Sequence, residues 1–211
     1  VFSRLKGISV TGGRVDLRVE RDPAARDAYR LLGAAGDVIV SGASEADIAS
    51  RLRAEVWLRQ WLKPLKPRFG LRLETDPAVK GNNFVEGDTL IFQARPARES
   101  YLVLLNLDAK GQLTVLYPQS AAETRPLAAN ATAAIPGSDP RSRIRVQAPF
   151  GTDTVVAVAF PEKPDWEVLK EIQGVAVDHV AVRALESMTA RQEGAAWSQL
   201  PLRTFPRNNR P

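Results

Sequence analysis

The chain has 211 residues, 44% of them apolar and 25% charged, and a net charge of +5. Such a balance is that of an ordinary globular protein with a sizeable core, and no window reaches the ~20 consecutive apolar residues of a membrane-spanning helix. There is no cysteine and a single histidine, His179, which excludes disulfides, thiolate metal sites, cysteine nucleophiles and any pair of histidine ligands.

In chain order, residues 8–10 and 15–19 alternate as strands do, with Gly12-Gly13 as a turn between them. Asp22-Pro23 then predicts a helix start, with an apolar stripe of Ala25, Ala28, Tyr29 and Leu32 that ends at Gly33 or Gly36. Residues 37–41 read as a short buried strand. Ser44 opens a second helix as its cap, with Ile48, Leu52, Val56, Leu62 and Leu65 carrying it to Pro64 or Pro67. Trp57 and Trp61 lie four apart on this helix and so share a face, which reads as a packing ridge rather than a ligand platform. These pieces predict a small N-terminal β-α-β-α unit over residues 1–70. Its first strand-to-helix turn is Glu20-Arg21-Asp22-Pro23, acidic and without glycine, so no nucleotide or other phosphate-bearing cofactor is expected there.

The charge is unevenly spread: residues 1–70 hold 13 Lys/Arg against 8 Asp/Glu, and residues 71–211 hold 16 of each. That contrast places a compositional boundary near residue 70. The basic residues are interspersed with acids and never run four together, which fits solvated helix faces rather than nucleic-acid binding.

Beyond the boundary, residues 71–75 alternate, residues 80–88 form a polar loop, and residues 89–94 alternate again with Leu90, Phe92 and Ala94 on one face. The stretch YLVLLNLDAKGQLTVLYP, Tyr101 to Pro118, is the clearest signal in the chain. Two apolar runs flank Asp108-Ala109-Lys110-Gly111, the pattern of a hairpin. Tyr101, Val103, Leu105 and Leu107 fall on one face and Leu102 and Leu104 on the other, so this strand belongs in the middle of a sheet covered on both sides. Residues 119–142 read as a long connection with one short strand near 131–135. Residues 143–146 and 154–160 are two more strands, joined through Pro149-Phe150-Gly151. A helix follows from Asp165 to Ile172, then another over about 178–192 with Asp178 as its cap. A last strand spans 197–205; Pro201 within it predicts an edge position. The fold class read from this order is α+β: the small unit, then an antiparallel, Ig-like β-sandwich with C-terminal helices over 71–205, then a flexible tail over 206–211.

Chemistry-bearing residues are few. His179 beside Asp178 has the composition of a base and its orienting carboxylate, but adjacent helix residues do not face each other. No serine sits in a nucleophile motif. Asp76, Glu86, Asp88 and Asp108 fall at strand ends and turns, where carboxylates serve backbone N–H groups more often than cations. Arg141, Arg143 and Arg145 alternate along a strand and read as a charge-protected edge. The expected catalytic, cofactor and metal residues are therefore none.

One ordered set of motifs remains: Glu86-Gly87-Asp88; Ser100-Tyr101-Leu102 running into Leu107-Asp108 and Gly111; Val115-Leu116-Tyr117-Pro118; Ile135-Pro136; and Pro149-Phe150-Gly151-Thr152-Asp153 with 156–159. The set resembles a bacterial β-sandwich domain of unknown function found C-terminal to caspase-like (metacaspase-like) or trypsin-like peptidase domains, often in exported proteins. The N-terminal unit also looks like the linker that follows caspase-like domains. The resemblance implies a non-catalytic accessory module that recognises a protein partner or positions an attached peptidase, in the periplasm or outside the cell. The start at Val1, without Met or leader, is expected for a piece of a longer protein. The alternatives are a free-standing envelope module for glycan or protein, which exposure of Trp57, Trp61, Trp166 and Trp197 would favour, and a hydrolase using carboxylates and a metal.

Overall fold

A computed structural model describes residues 17–76, 81–137 and 143–208. The expected strand at 8–10, the Gly12-Gly13 turn, Arg141 and residues 209–211 of the tail lie outside these residues. What is described is mostly β-structure with few helices.

The N-terminal part departs from the β-α-β-α expectation. Strands β1 (Leu17–Arg21), β2 (Tyr29–Gly33) and β3 (Val38–Ala43) form an antiparallel sheet that precedes helix α1 (Glu45–Leu62). The predicted first helix is thus a hairpin. Asp22 caps no helix; its carboxylate accepts from the backbone N–H groups of Ala24 (2.9 Å) and Gly42 (2.6 Å), which holds its pKa below the usual value. Asp27 takes φ 61°, a left-handed conformation that ends any helix, and Asp22 N–H donates to Ala28 O across the loop. The alanines that suggested a helix lie in this connection, so pairing of Tyr29–Gly33 with β1 overrides their propensity. Helix α1 begins as expected, with Ser44 Oγ accepting from Asp47 N–H.

The remaining strands are β4 (Leu71–Thr75), β5 (Asn83–Val85), β6 (Thr89–Leu90), β7 (Phe92–Pro96), β8 (Ser100–Leu107), β9 (Gln112–Tyr117), β10 (Pro126–Leu127), β11 (Ala133–Ile135), β12 (Ile144–Arg145), β13 (Gly151–Phe160), β14 (Gln173–Ala176) and β15 (Ala196–Phe205). Helices α2 (Trp166–Lys170) and α3 (Val180–Ala190) stand between β13 and β15. Among the described residues the main sheet runs β14-β9-β8-β13-β15-β5, with β10 also paired to β8; β11-β7-β4 and β12-β6 form two smaller sheets.

The hairpin β8–β9 lies inside the main sheet, and its two faces divide as the alternation predicts. Val103, Leu105 and Leu107 join Val156, Val158 and Phe160 of β13 in a core cluster with Trp57, Leu58 and Trp61 of α1 and with residues of α2 and α3. Leu102 and Leu104 join Val155 and Ala157 in a second cluster, closed by Leu73, Leu90, Phe92, Ala94 and Ile135 from the small sheets. One face of the main sheet is therefore covered by helices and the other by strands. Helix α1 serves two cores, because Ile48 and Leu52 in its first half pack on Leu31, Ile39 and Val40 of β2 and β3. The compositional change near residue 70 thus falls just past a helix whose apolar face shares a core with β8 and β13.

Two further features differ from the expectation, and a third meets it in part. The run 89–94 breaks at Ile91 into β6 and β7, which pair in different sheets. Residues 83–85, expected within a polar loop, are strand β5, parallel to β15 and with Phe84 in the core. Strand β15 is an edge only as far as Leu202, Pro201 included: β13 pairs along its length, and β5 adds a second neighbour at Arg203–Phe205. Proline lacks an N–H, and it is accommodated where the second neighbour stops short of it.

The tip of the β8–β9 hairpin is fixed against α1. Gly111 has φ 82°, and a Cβ there would stand 2.9 Å from both Ala54 Cβ and Ser50 O. Gly111→Ala is expected to lose roughly 1–3 kcal/mol, from left-handed backbone strain and the clash with the helix, read as a fall in thermal midpoint. An unchanged midpoint would mean that the tip is free of the helix.

Candidate functional site

Three of the chemistry-bearing residues picked out from the sequence, His179, Asp88 and Asp108, are occupied with the backbone. His179, not Asp178, caps α3: its Nδ1 accepts from Ala181 N–H at 3.2 Å, and its side chain is exposed. Asp88 accepts from Val85 N–H at 2.9 Å, and Asp108 accepts from both Lys110 and Gln112 N–H at 2.9 Å. Glu86 is exposed, and Asp76 donates its N–H to Ile91 O. Among the described residues no three His, Cys, Asp or Glu side chains converge on a common point. Arg143 and Arg145 are exposed at and beside β12. Trp57 and Trp61 stack at 5.2 Å between centroids, 9% and 6% exposed, and Trp57 Nε1 donates to Glu186 Oε1 at 2.6 Å. Trp166 and Trp197 are half-buried against the same core.

The motif residues have equally definite structural jobs. Gly87 has φ 90° and donates its N–H to Val146 O, tying the β5–β6 turn to β12. Tyr117 Oη donates to Glu123 O at 3.0 Å, and burial raises its pKa. Gly151 N–H donates to Thr204 Oγ1 at 3.1 Å, which joins the start of β13 to the end of β15. Residues 83–163 match the family model of a domain of unknown function (DUF4384). The match covers well under half the chain, running from β5 through β13. No curated protein sequence matches the chain.

Two interior groups escaped the sequence reading, and both lie at the end of the sheet near the hairpin tip of the DUF4384 segment. Arg51 of α1 is wholly buried. Its Nη1 donates to Leu107 O at 3.2 Å and to Asp108 O; its Nη2 donates to Glu55 Oε1 at 2.6 Å and Thr154 Oγ1 at 3.2 Å. One guanidinium therefore joins α1, the hairpin tip and β13, a role that the fork geometry of arginine suits. Its position three residues after Ile48 and one before Leu52, on the apolar stripe, was the available signal.

Asp153 of β13 is the other. It lines a cavity of about 180 Å³ with Asn106, Asp108, Thr114, Arg145 and Thr204. Its Oδ1 is buried and makes no hydrogen bond, and Oδ2 accepts from Asn106 Nδ2 at 3.5 Å. Burial pushes this carboxyl up to about 6, against the pull of the Arg51 guanidinium, the Asn106 amide and the Ala109 backbone; the Asp108 carboxylate adds to the push. A group that binds its proton more tightly when folded contributes stability that is full below the unfolded value, 3.8, and lost as pH rises through about 6. Asp153→Asn, neutral throughout, is expected to gain on the parent by roughly 2–3 kcal/mol between pH 4 and pH 7 in urea titrations. Parallel stability curves for the two proteins would show that the carboxyl is not desolvated.

Two larger clefts flank the second half of α1. One, of about 660 Å³, lies between the end of α1 with the following loop and the end of α3; Trp61, Leu65, Lys66, Arg68 and Ala190 line it. The other, of about 520 Å³, lies on the opposite flank, with Asp37, Glu55, Arg59, Lys63, Thr154 and Trp197 at its walls.

Proposed function

We propose that the chain is a non-catalytic accessory module that recognises a protein partner or positions a peptidase, attached to or derived from a bacterial caspase-like protein of the periplasm or cell exterior. The observation that carries this reading is where the reactive side chains are used. His179 caps a helix, Asp88 and Asp108 close turns, and Arg51 joins three elements. Groups tied to the backbone in this way serve as framework, while the clefts beside α1 offer concave surface for binding. The main sheet and the two small sheets facing it, read as an Ig-like sandwich with helices added outside, suit a module that presents a fixed surface. Burial of Trp57 and Trp61 counts against the free-standing glycan-binding reading, which needs aromatic faces open to a sugar.

Attachment is tested by the reading frame upstream of the Val1 codon. A His and a Cys at caspase-like spacing are expected there. A frame encoding no peptidase-like domain would overturn the association and leave a free-standing module.

A further inference from the structure

The ridge between the two clefts is basic. Arg53, Arg59, Lys63, Lys66 and Arg68 are all exposed on α1 and the loop that follows it. Three of the acids nearby are engaged within the chain: Glu55 pairs with Arg51, Glu186 accepts from Trp57 Nε1, and Glu193 pairs with Arg68 at 3.5 Å, while Asp37 stands at the wall of the second cleft. Among the described residues, Lys63 and Lys66 form no ion pair. Favourable interaction with the helix C-terminus accounts for Arg59 and Lys63 but not for Lys66 and Arg68, which lie past the helix. Pro64 and Pro67 restrict the backbone of the loop between them, which lowers the backbone ordering cost of binding there. These cations share one surface, flanked by a cleft where Trp61, Leu65 and Ala190 stand beside polar Gln60, Thr189 and Gln192 and the carboxylates of Glu186 and Glu193.

We infer that this ridge docks an extended acidic segment of a protein partner, whose carboxylates meet Lys63 and Lys66 while an apolar side chain enters the cleft beside Trp61 and Leu65. This rests on the partner-recognition reading above and gives that partner a chemistry. A membrane surface would need apolar residues to insert, and the exposed large hydrophobics, Val38, Ile91 and Val180, lie elsewhere.

The test is a fluorescence-anisotropy titration of the full chain against a labelled twelve-residue peptide of alternating glutamate and leucine. A lysine–leucine peptide, a single-stranded oligonucleotide and anionic phosphatidylserine vesicles serve as the other arms. The acidic peptide is expected to bind most tightly, more weakly as salt is raised, and roughly tenfold more weakly to the Lys63→Glu/Lys66→Glu variant. Arg143→Glu/Arg145→Glu changes the net charge equally on the opposite side of the main sheet and is expected to leave binding within about twofold of the parent. Equal loss in the two variants would reduce the effect to net charge and overturn the assignment. So would tighter binding of the oligonucleotide or vesicles, or no binding of the acidic peptide. These failures would reject this surface alone, because attachment to a peptidase is read from the gene.

Discussion

Arg51→Ala is expected to lose roughly 3–5 kcal/mol of stability, the cost typical of removing one partner of a buried ion pair. The loss has three parts. Glu55, only 12% exposed, keeps a carboxylate without its counter-ion. The carbonyls of Leu107 and Asp108 lose a donor at the hairpin tip, and Thr154 Oγ1 loses one on β13. A cavity is left where the largest fully buried side chain stood. Arg51→Lys should recover less than half of the loss, because a single ammonium cannot reach acceptors on three elements in the geometry of the planar fork. Urea titrations at pH 7 measure both variants. An alanine variant within about 1 kcal/mol of the parent would mean that the guanidinium is solvated and the junction loose.

Leu104→Asn should be at least as damaging. Leu104 is fully buried at the centre of β8, opposite Ala157 of β13 and Tyr117 of β9, and it faces the cluster closed by the small sheets. An amide there finds apolar neighbours, and burying one without a partner costs roughly 2–7 kcal/mol. Leu104→Met keeps the volume and is expected to cost under about 1.5 kcal/mol, which separates polarity from packing. Circular dichroism melts decide the point. Parent-like melting of the asparagine variant would remove Leu104 from the core and β8 from the middle of the sheet.

What the sequence disclosed depended on how local the signal was. The β8–β9 hairpin was legible because its alternation, the Asp108 turn and the left-handed Gly111 all lie within eighteen residues. Helix α1 announced itself through Ser44 and its apolar stripe. By contrast, β2 was concealed by an Ala-rich connection whose decisive residue is Asp27 with positive φ. Strand β5 is only three residues long and pairs in parallel with a strand over a hundred residues away. The bulged β14 is held by its register with β9 more than by its own composition. Asp153 was invisible, and Arg51 signalled only by its place on the apolar stripe, for a related reason. Each looks like a surface residue until the fold closes around it, and the Asp153 shift depends on groups from α1, β8 and the hairpin tip together.

Asp153 is also where the central claim is most exposed. A buried carboxyl near 6 beside an arginine is what a general acid or base looks like. Here its position is accounted for by burial at a structural junction. The most direct measurement is turnover of a panel of peptide, ester and phosphate substrates by the purified chain from pH 4 to pH 8, alongside the Asp153→Asn and His179→Ala variants. The account predicts no turnover that either substitution changes, with Asp153→Asn more stable than the parent at neutral pH. Hydrolysis with an apparent pKa near 6 that vanishes in Asp153→Asn would contradict it and make the hairpin junction an active site.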